Sequence, residues 1–188
     1  RLKAAVSDTA TPKHIRAFVI IGLKTGQRGQ HIRNLRWEHV DFNRGVLWFR
    51  RSNPHAAKNK SCEDVLMSAA LAALLHEMME SALTPFVIEH VQRNKRGEPV
   101  KNAKVGADAR PVGTLKRAWA TLLRRAEIEG LNIHDLRRSF TSAAADEGAE
   151  LKDIADFMGV DVKTLRRHYA FSAPERHRNF LEKIEGTT

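Results

Sequence analysis

Residues 25–42 read TGQRGQHIRNLRWEHVDF, and the secondary structure is predicted to change twice within this stretch. Gly26 ends a helical pattern that begins near Pro12, because glycine commonly follows the last residue of a helix. A second, short helix is predicted from Gln30 to Trp37. At Val40 the apolar residues change to the alternating pattern of a strand. The stretch therefore predicts a helical domain that carries a small sheet.

The elements on either side of this stretch follow from caps and turns. Thr11 is the predicted N-cap of the first helix, with Pro12 at its first helical position. The turn Asn43-Arg44-Gly45 joins the strand at Val40 to a second strand over residues 46–49, since glycine supplies the positive φ that hairpin turns need. A third strand is predicted over residues 65–67.

The remaining elements are helices. Ser68 is the predicted N-cap of a helix with the sequence AALAALLHEMMESA, whose composition strongly favours helix. A basic loop is predicted over residues 93–110. Further helices are predicted over residues 112–129, 135–147, 151–158, 162–170 and 174–184. The expected fold is one α+β domain over residues 1–188, mainly helical with a small antiparallel sheet.

The composition favours an acidic polymer as partner. Lys and Arg outnumber Asp and Glu by 32 to 22, which gives a formal net charge of +10 and points to nucleic acid. The single cysteine, Cys62, cannot form an internal disulfide, which is typical of a reducing compartment. The nine histidines show no zinc-type spacing, so no metal site is expected. No run of apolar residues is long enough for a membrane helix, and no membrane role is expected.

Candidate functional residues occur in a fixed order along the chain. They are Arg28, Lys58, His134, Arg137 and Tyr169. The guanidinium group of arginine is planar and permanently charged, and it can bind a phosphate through two parallel hydrogen bonds. Arg28 and Arg137 therefore suit a phosphate clamp. Tyr169 is the only tyrosine in the chain, which makes it a candidate nucleophile.

This series resembles the tyrosine recombinases, also called phage integrases, over nearly the whole chain. Residues 25–42 are similar to the first arginine box of the family, with Arg28, Leu35, Trp37 and Asp41 in place. The segment KNKSCEDVLMS, residues 58–68, is similar to the hairpin in which a lysine precedes a Val-Pro-Leu strand. The segment HDLRRSFTSAAADEG, residues 134–148, is similar to the second arginine box.

The resemblance implies a role for each candidate residue. Arg28 and Arg137 would hold the non-bridging oxygens of the DNA phosphate. Lys58 would be the general acid for the 5′-hydroxyl that leaves, and His134 would assist proton transfer. Tyr169 would attack phosphorus and remain joined to DNA as a 3′-phosphotyrosine. The family needs no cofactor for this reaction.

Two positions depart from the family pattern and predict reduced activity. His31 stands where the family usually has an acidic residue that braces the pocket. Val160 stands where the family usually has His or Trp, which donates a hydrogen bond to the phosphate. Additional contacts with DNA are expected from Lys60, Arg138, Arg166 and Arg167, and Lys60 is the alternative general acid.

The resemblance also implies partners and leaves alternatives open. The expected partner is double-stranded DNA, bound by a homo-tetramer whose subunits join through the segment 174–184. The expected setting is the cytoplasm of a bacterium, at DNA, with the chain encoded by the bacterium or a phage. The first residue is Arg1, so a longer integrase is expected, with its N-terminal DNA-binding domain absent here. A catalytically degenerate DNA-binding relative and a type IB topoisomerase-like enzyme are the alternatives.

Overall fold

The chain folds as α-helices packed beside a three-stranded antiparallel sheet. The computed structural model describes residues 1–8, 10–53, 63–89, 91, 96 and 109–169. In chain order the elements are α1 (Leu2–Ser7), α2 (Lys13–Thr25), α3 (Gly29–Asn34), a 3-10 helix (Trp37–His39), β1 (Val40–Asp41), β2 (Val46–Leu47), α4 (Phe49–Ser52), β3 (Val65–Leu66), α5 (Ala69–Glu80), α6 (Lys116–Arg125), α7 (Asp135–Asp146), α8 (Leu151–Met158) and α9 (Val162–Tyr169). The predicted fold class is confirmed.

Helix α2 lies at the centre of the fold. Its face formed by Ile15, Phe18 and Val19 is almost completely buried, as the helical spacing of these residues predicts. The predicted cap is wrong, because Pro12 is the N-cap and the hydroxyl of Thr11 donates to the carbonyl of Ala5 at 2.8 Å. The side chain of Thr11 therefore holds α1 against the start of α2.

The sheet has the strand order β1-β2-β3, and both pairs are antiparallel. Gly45 forms the turn between β1 and β2 with a φ of 66°, as predicted. The predicted extension of the second strand to residue 49 is wrong, because Phe49 is buried and begins helix α4. The side chain of Asn53 binds the carbonyl of Phe49 at 3.0 Å and stabilises this helical turn.

The later helices agree with the sequence pattern more closely than the early ones. The hydroxyl of Ser68 accepts from the amide of Leu71, which confirms the predicted cap of α5. Helix α6 is shorter than predicted, because Glu127 adopts a positive φ of 52° that no helix continues through. Helix α1 was not predicted. The predicted helix over residues 174–184 lies outside the described residues, as does most of the predicted loop over residues 93–110.

Two groups of buried apolar side chains support these elements. The first core cluster is formed by α1 to α6, the sheet and Leu136 of α7, and the second core cluster is formed around Ile154, Met158 and Leu165. Helix α7 packs along α2, where Gly22 allows Leu136 to approach so closely that a Cβ atom on Gly22 would lie 3.0 Å from it. Within the described ranges, no helix is long and apolar enough to cross a membrane.

Candidate active site

Arg137 occupies the junction between the two core clusters. It lies in the first turn of α7, and only 8% of the residue is exposed. Its Nη1 donates to the carbonyl of Gly26 at 2.5 Å, and its Nη2 donates to the carbonyl of Met158 at 3.3 Å. The guanidinium group therefore joins the C-terminal ends of α2 and α8, where free main-chain carbonyls are available.

Arg28 lies close enough to Arg137 to affect its ionisation. Burial, and secondly the positive charge of Arg28, lower the pKa of Arg137 from the ordinary value of arginine to about 10. Arg28 is half-buried at the N-terminus of α3, and its side chain makes no capping hydrogen bond to that helix. The fold thus brings together the two arginines that the sequence assigns to a phosphate clamp. Two neighbouring guanidinium groups, one of them buried, repel each other, so an anion between them would be stabilising.

Gly26 fixes the carbonyl that Arg137 binds. Its φ of 61° is in the left-handed region, which glycine adopts without strain. A Cβ atom at this position would lie 2.6 Å from Cδ1 of Phe140 and 3.1 Å from Cε of Met158. Any other residue at position 26 would therefore displace the side chains of Phe140 and Met158, which belong to the second core cluster beside Arg137.

His134 is the N-cap residue of α7 and is exposed. The residue before it, Ile133, packs against the start of α3, since a Cβ atom on Gly29 would lie 3.4 Å from Cγ2 of Ile133. Gly29 follows Arg28 directly in the chain. The segment that carries His134 therefore borders the segment that carries Arg28.

The predicted DNA contacts among the described residues lie on the surface. Arg138 is exposed and pairs with Asp135 at 3.0 Å. Arg166 and Arg167 are exposed on α9, whereas Leu165, the residue before them on the same helix, is buried in the second core cluster. Their contact with DNA stays a prediction.

The two divergent positions are both involved in packing. His31 is 4% exposed on α3, and its main-chain carbonyl accepts from Nδ2 of Asn53 at 3.4 Å. Val160 is half-buried, packs against the second core cluster and follows Gly159 in the turn after α8. The apolar side chain of Val160 has no hydrogen bond to offer a phosphate.

Gln27 and Glu63 are site residues that the sequence analysis did not identify. Gln27 is 3% exposed, and its Nε2 donates to the main-chain carbonyl of Glu63 at 3.5 Å. The carboxylate of Glu63 pairs with Arg50, and a Cβ atom on Gly159 would lie 2.8 Å from Cγ of Glu63. The one signal in the sequence was the position of Gln27 directly before Arg28.

The remaining candidates lie at the limit of the described residues. Tyr169 is the last residue of α9, and its side chain is not described. Lys58 and Lys60 lie in residues 54–62, outside the described ranges. In the part of the chain that the structure describes, no cluster of three or more His, Cys, Asp or Glu residues could hold a metal ion.

Known proteins are similar to this chain over most of its length. The family model described as "Phage integrase family" matches residues 1–176. The integrase of Salmonella phage P22 is 25% identical over 177 residues, which are 93% of this chain and 44% of that protein. The chain therefore spans less than half the length of this relative.

Solved structures of recombinases share the fold. The crystal structure of XerA recombinase superposes with a TM-score of 0.61 at 18% identity and covers 92% of this chain and 61% of that one. The Tn1549 transposon integrase, solved in complex with circular intermediate DNA, gives 0.61 at 16% identity over 97% of this chain and 63% of that one. Since the family model extends over nearly the whole chain, the chain belongs to the phage integrase family, the tyrosine recombinases.

Proposed function

We propose that the chain is the catalytic domain of a site-specific DNA recombinase, which cuts and rejoins DNA through a 3′-phosphotyrosine intermediate. The observation that carries this proposal is the proximity of Arg28 to the buried Arg137. The guanidinium group of Arg137 donates to two main-chain carbonyls, and no carboxylate among the described residues forms an ion pair with it. A phosphodiester would supply the missing negative charge.

The proposed reaction is a transesterification in which bonds and protons balance. The phenolic oxygen of Tyr169 forms a bond to phosphorus, and the bond from phosphorus to the 5′ oxygen breaks. Lys58 gives a proton to the leaving 5′ oxygen, and the phenolic proton passes to solvent with the help of His134. Arg28 and Arg137 stabilise the negative charge that builds up on the phosphate oxygens, where one such donor typically contributes roughly 10²- to 10³-fold in rate. Attack by a 5′-hydroxyl reverses these steps and rejoins the strand.

The proposal extends to the assembly and its setting. We infer double-stranded DNA as the partner, bound inside a bacterial cell by a homo-tetramer of a longer protein. The share of the P22 integrase that the chain spans supports the longer protein. The DNA named in the Tn1549 integrase complex supports the choice of partner.

Formation of a covalent adduct tests the reaction. The chain is incubated with a pool of nicked duplexes of randomised central sequence. After cleavage, the short strand that carries the 5′-hydroxyl dissociates at the nick, so that rejoining is prevented and the covalent intermediate accumulates. We expect a protein–DNA adduct that resists SDS, and none from Tyr169→Phe, although this variant still binds the DNA. An adduct that persists in Tyr169→Phe, or DNA binding without any adduct in the unchanged chain, would contradict the proposal.

A DNA-binding relative without catalysis is the second candidate, and the packing of Val160 favours it. The side chain of Val160 contributes to the second core cluster instead of donating to a phosphate. If the missing donor limits the rate, Val160→His should raise the yield of the adduct. An unchanged yield would show that position 160 has no part in the reaction.

A further inference from the structure

The carboxamide group of Gln27 is an unusual buried polar group. Gln27 is 3% exposed, and its Nε2 makes one long hydrogen bond of 3.5 Å to the carbonyl of Glu63. Its Oε1 is buried and has no hydrogen-bond partner among the described residues. Buried acceptors are normally satisfied, because leaving one without a donor costs free energy of folding. Such an atom therefore points to a donor that the described residues do not supply.

The contacts of Gln27 place it in the candidate active site. It lies between Gly26, whose carbonyl accepts from Arg137, and Arg28. Its partner Glu63 packs on Gly159, which follows the Met158 carbonyl that also accepts from Arg137. The carboxamide group thus links two of the chain segments that surround the guanidinium group of Arg137.

The proposed reaction creates a need for an acceptor at this place. Arginine side chains only donate hydrogen bonds, so the clamp itself has no acceptor. One proton moves to the leaving 5′ oxygen, and it is carried first by an ammonium group and afterwards by the 5′-hydroxyl. Both carriers are N–H or O–H donors that must be held in a defined direction for transfer in either sense.

We propose that Gln27 is a positioning residue, whose carboxamide oxygen accepts a hydrogen bond in the DNA complex from the group that carries this proton. The inference rests on the proposed function. A neutral acceptor suits the role, since it orients the donor without competing for the proton. A carboxylate would bind the proton more strongly and make the ammonium group a weaker acid.

The nature of the leaving atom makes the inference testable. A duplex selected by its adduct with the unchanged chain is prepared in two forms, with oxygen or with sulfur at the bridging 5′ position. A thiolate leaves without receiving a proton, so cleavage at sulfur does not need the proton carrier. We expect Gln27→Met to slow either cleavage or resealing of the oxygen substrate by roughly 3- to 10-fold, the effect of one neutral hydrogen bond. Cleavage of the sulfur substrate should keep its rate.

Two rates distinguish the possible donors. Slower cleavage of the oxygen substrate would identify the ammonium group, and slower resealing by an added 5′-hydroxyl strand would identify the hydroxyl. Equal slowing of the oxygen and sulfur substrates, or no effect on either step, would overturn the inference. The exposed Gln30 on α3 provides the matched control, and Gln30→Met should leave all rates unchanged.

Thermal unfolding separates positioning from a purely structural role. Removing an acceptor that has no donor among the described residues should leave the melting temperature of Gln27→Met equal to or above that of the unchanged chain, and a large decrease would indicate a structural role. If the unchanged chain forms no adduct with either substrate, the proposed function itself fails.

Discussion

Folding places the charge of Arg137 in an unfavourable environment. A pKa of about 10 in the folded chain, below the ordinary value of arginine, means that folding disfavours the charged form. Because the unfolded chain binds this proton more strongly, the cost is fully present below pH 10 and disappears as the pH rises to the ordinary pKa of arginine. At neutral pH it amounts to roughly 3 kcal/mol. A cost of this size is expected where a charge is kept for binding an anion.

Replacement of Arg28 should separate stability from activity. Arg28→Gln removes one of the two causes that lower the pKa of Arg137, and it removes no helix cap. We expect the free energy of unfolding to stay the same or to rise by up to ~1 kcal/mol. The rate of adduct formation should fall by roughly 10²- to 10³-fold. Denaturant unfolding and the adduct assay measure the two quantities.

The matched control for this variant is Arg44→Gln in the β1–β2 turn, which removes the same charge from an exposed side chain. Its adduct rate should stay close to that of the unchanged chain. A decrease as large as that of Arg28→Gln would mean that net charge, and not the clamp, sets the rate.

At the scale of elements, two glycines with nearly the same φ have very different surroundings. Gly26 has a φ of 61° and Gly45 a φ of 66°. A Cβ atom on Gly45 would meet nothing within 4 Å, whereas one on Gly26 would collide with Phe140. The end of α2 is therefore closely packed, whereas the turn between β1 and β2 leaves open space beside Gly45.

Alanine substitutions should measure this difference. Gly45→Ala is expected to lower the free energy of unfolding by about 1 kcal/mol, because it adds only the backbone strain. Gly26→Ala adds the collision with Phe140 and should lower it by about 2 to 5 kcal/mol. It should also slow adduct formation, since it moves the carbonyl that binds Arg137. If the two substitutions lower the free energy of unfolding equally, the second core cluster rearranges around the added methyl group without a cost in free energy.

The elements that the sequence predicts well are those with local signals. Ser68 marks the start of α5 through its side-chain cap, and Gly26 marks the end of α2 through its left-handed backbone conformation. Phe49 shows the limit of such reasoning, because its residue type favours a strand and the side chain of Asn53 stabilises a helical turn instead. Thr11 likewise is of a residue type that commonly caps helices, but its hydroxyl donates to the carbonyl of Ala5 in α1. Side-chain hydrogen bonds to main-chain carbonyls four and six residues away, which residue type alone does not reveal, stabilise both outcomes.

For the whole molecule, the net charge of +10 sets the expected behaviour with DNA. Exposed arginines such as Arg166 and Arg167 would release counterions when they bind phosphates. We therefore expect the affinity of the isolated chain for duplex DNA to be weak and to fall steeply between 50 and 200 mM salt, by about 10³-fold or more if six phosphates are contacted. Fluorescence anisotropy across a salt series measures this slope. An affinity that is independent of salt would exclude the electrostatic mode of binding.

The arrangement of the site was predictable from the sequence only in part. The order of Arg28 and Arg137 along the chain indicated a shared clamp, and the fold brings them together. Gln27 was not predictable, because nothing local shows that its carboxamide is buried next to Glu63. Its environment is set by the turn after α8 and by the start of β3, which are far from it in the sequence.

The hydrogen bonds of Arg137 also couple α2 and α8 during local unfolding. The guanidinium group of Arg137 connects the end of α2 with the end of α8, so detachment of α8 would break a hydrogen bond that holds Arg137 in the proposed phosphate clamp. A ligand that binds only the assembled clamp must then suppress this local opening by mass action. Amide protons of α8 should accordingly exchange with deuterium more slowly when DNA is bound, and unchanged exchange would mean that the clamp and α8 open independently.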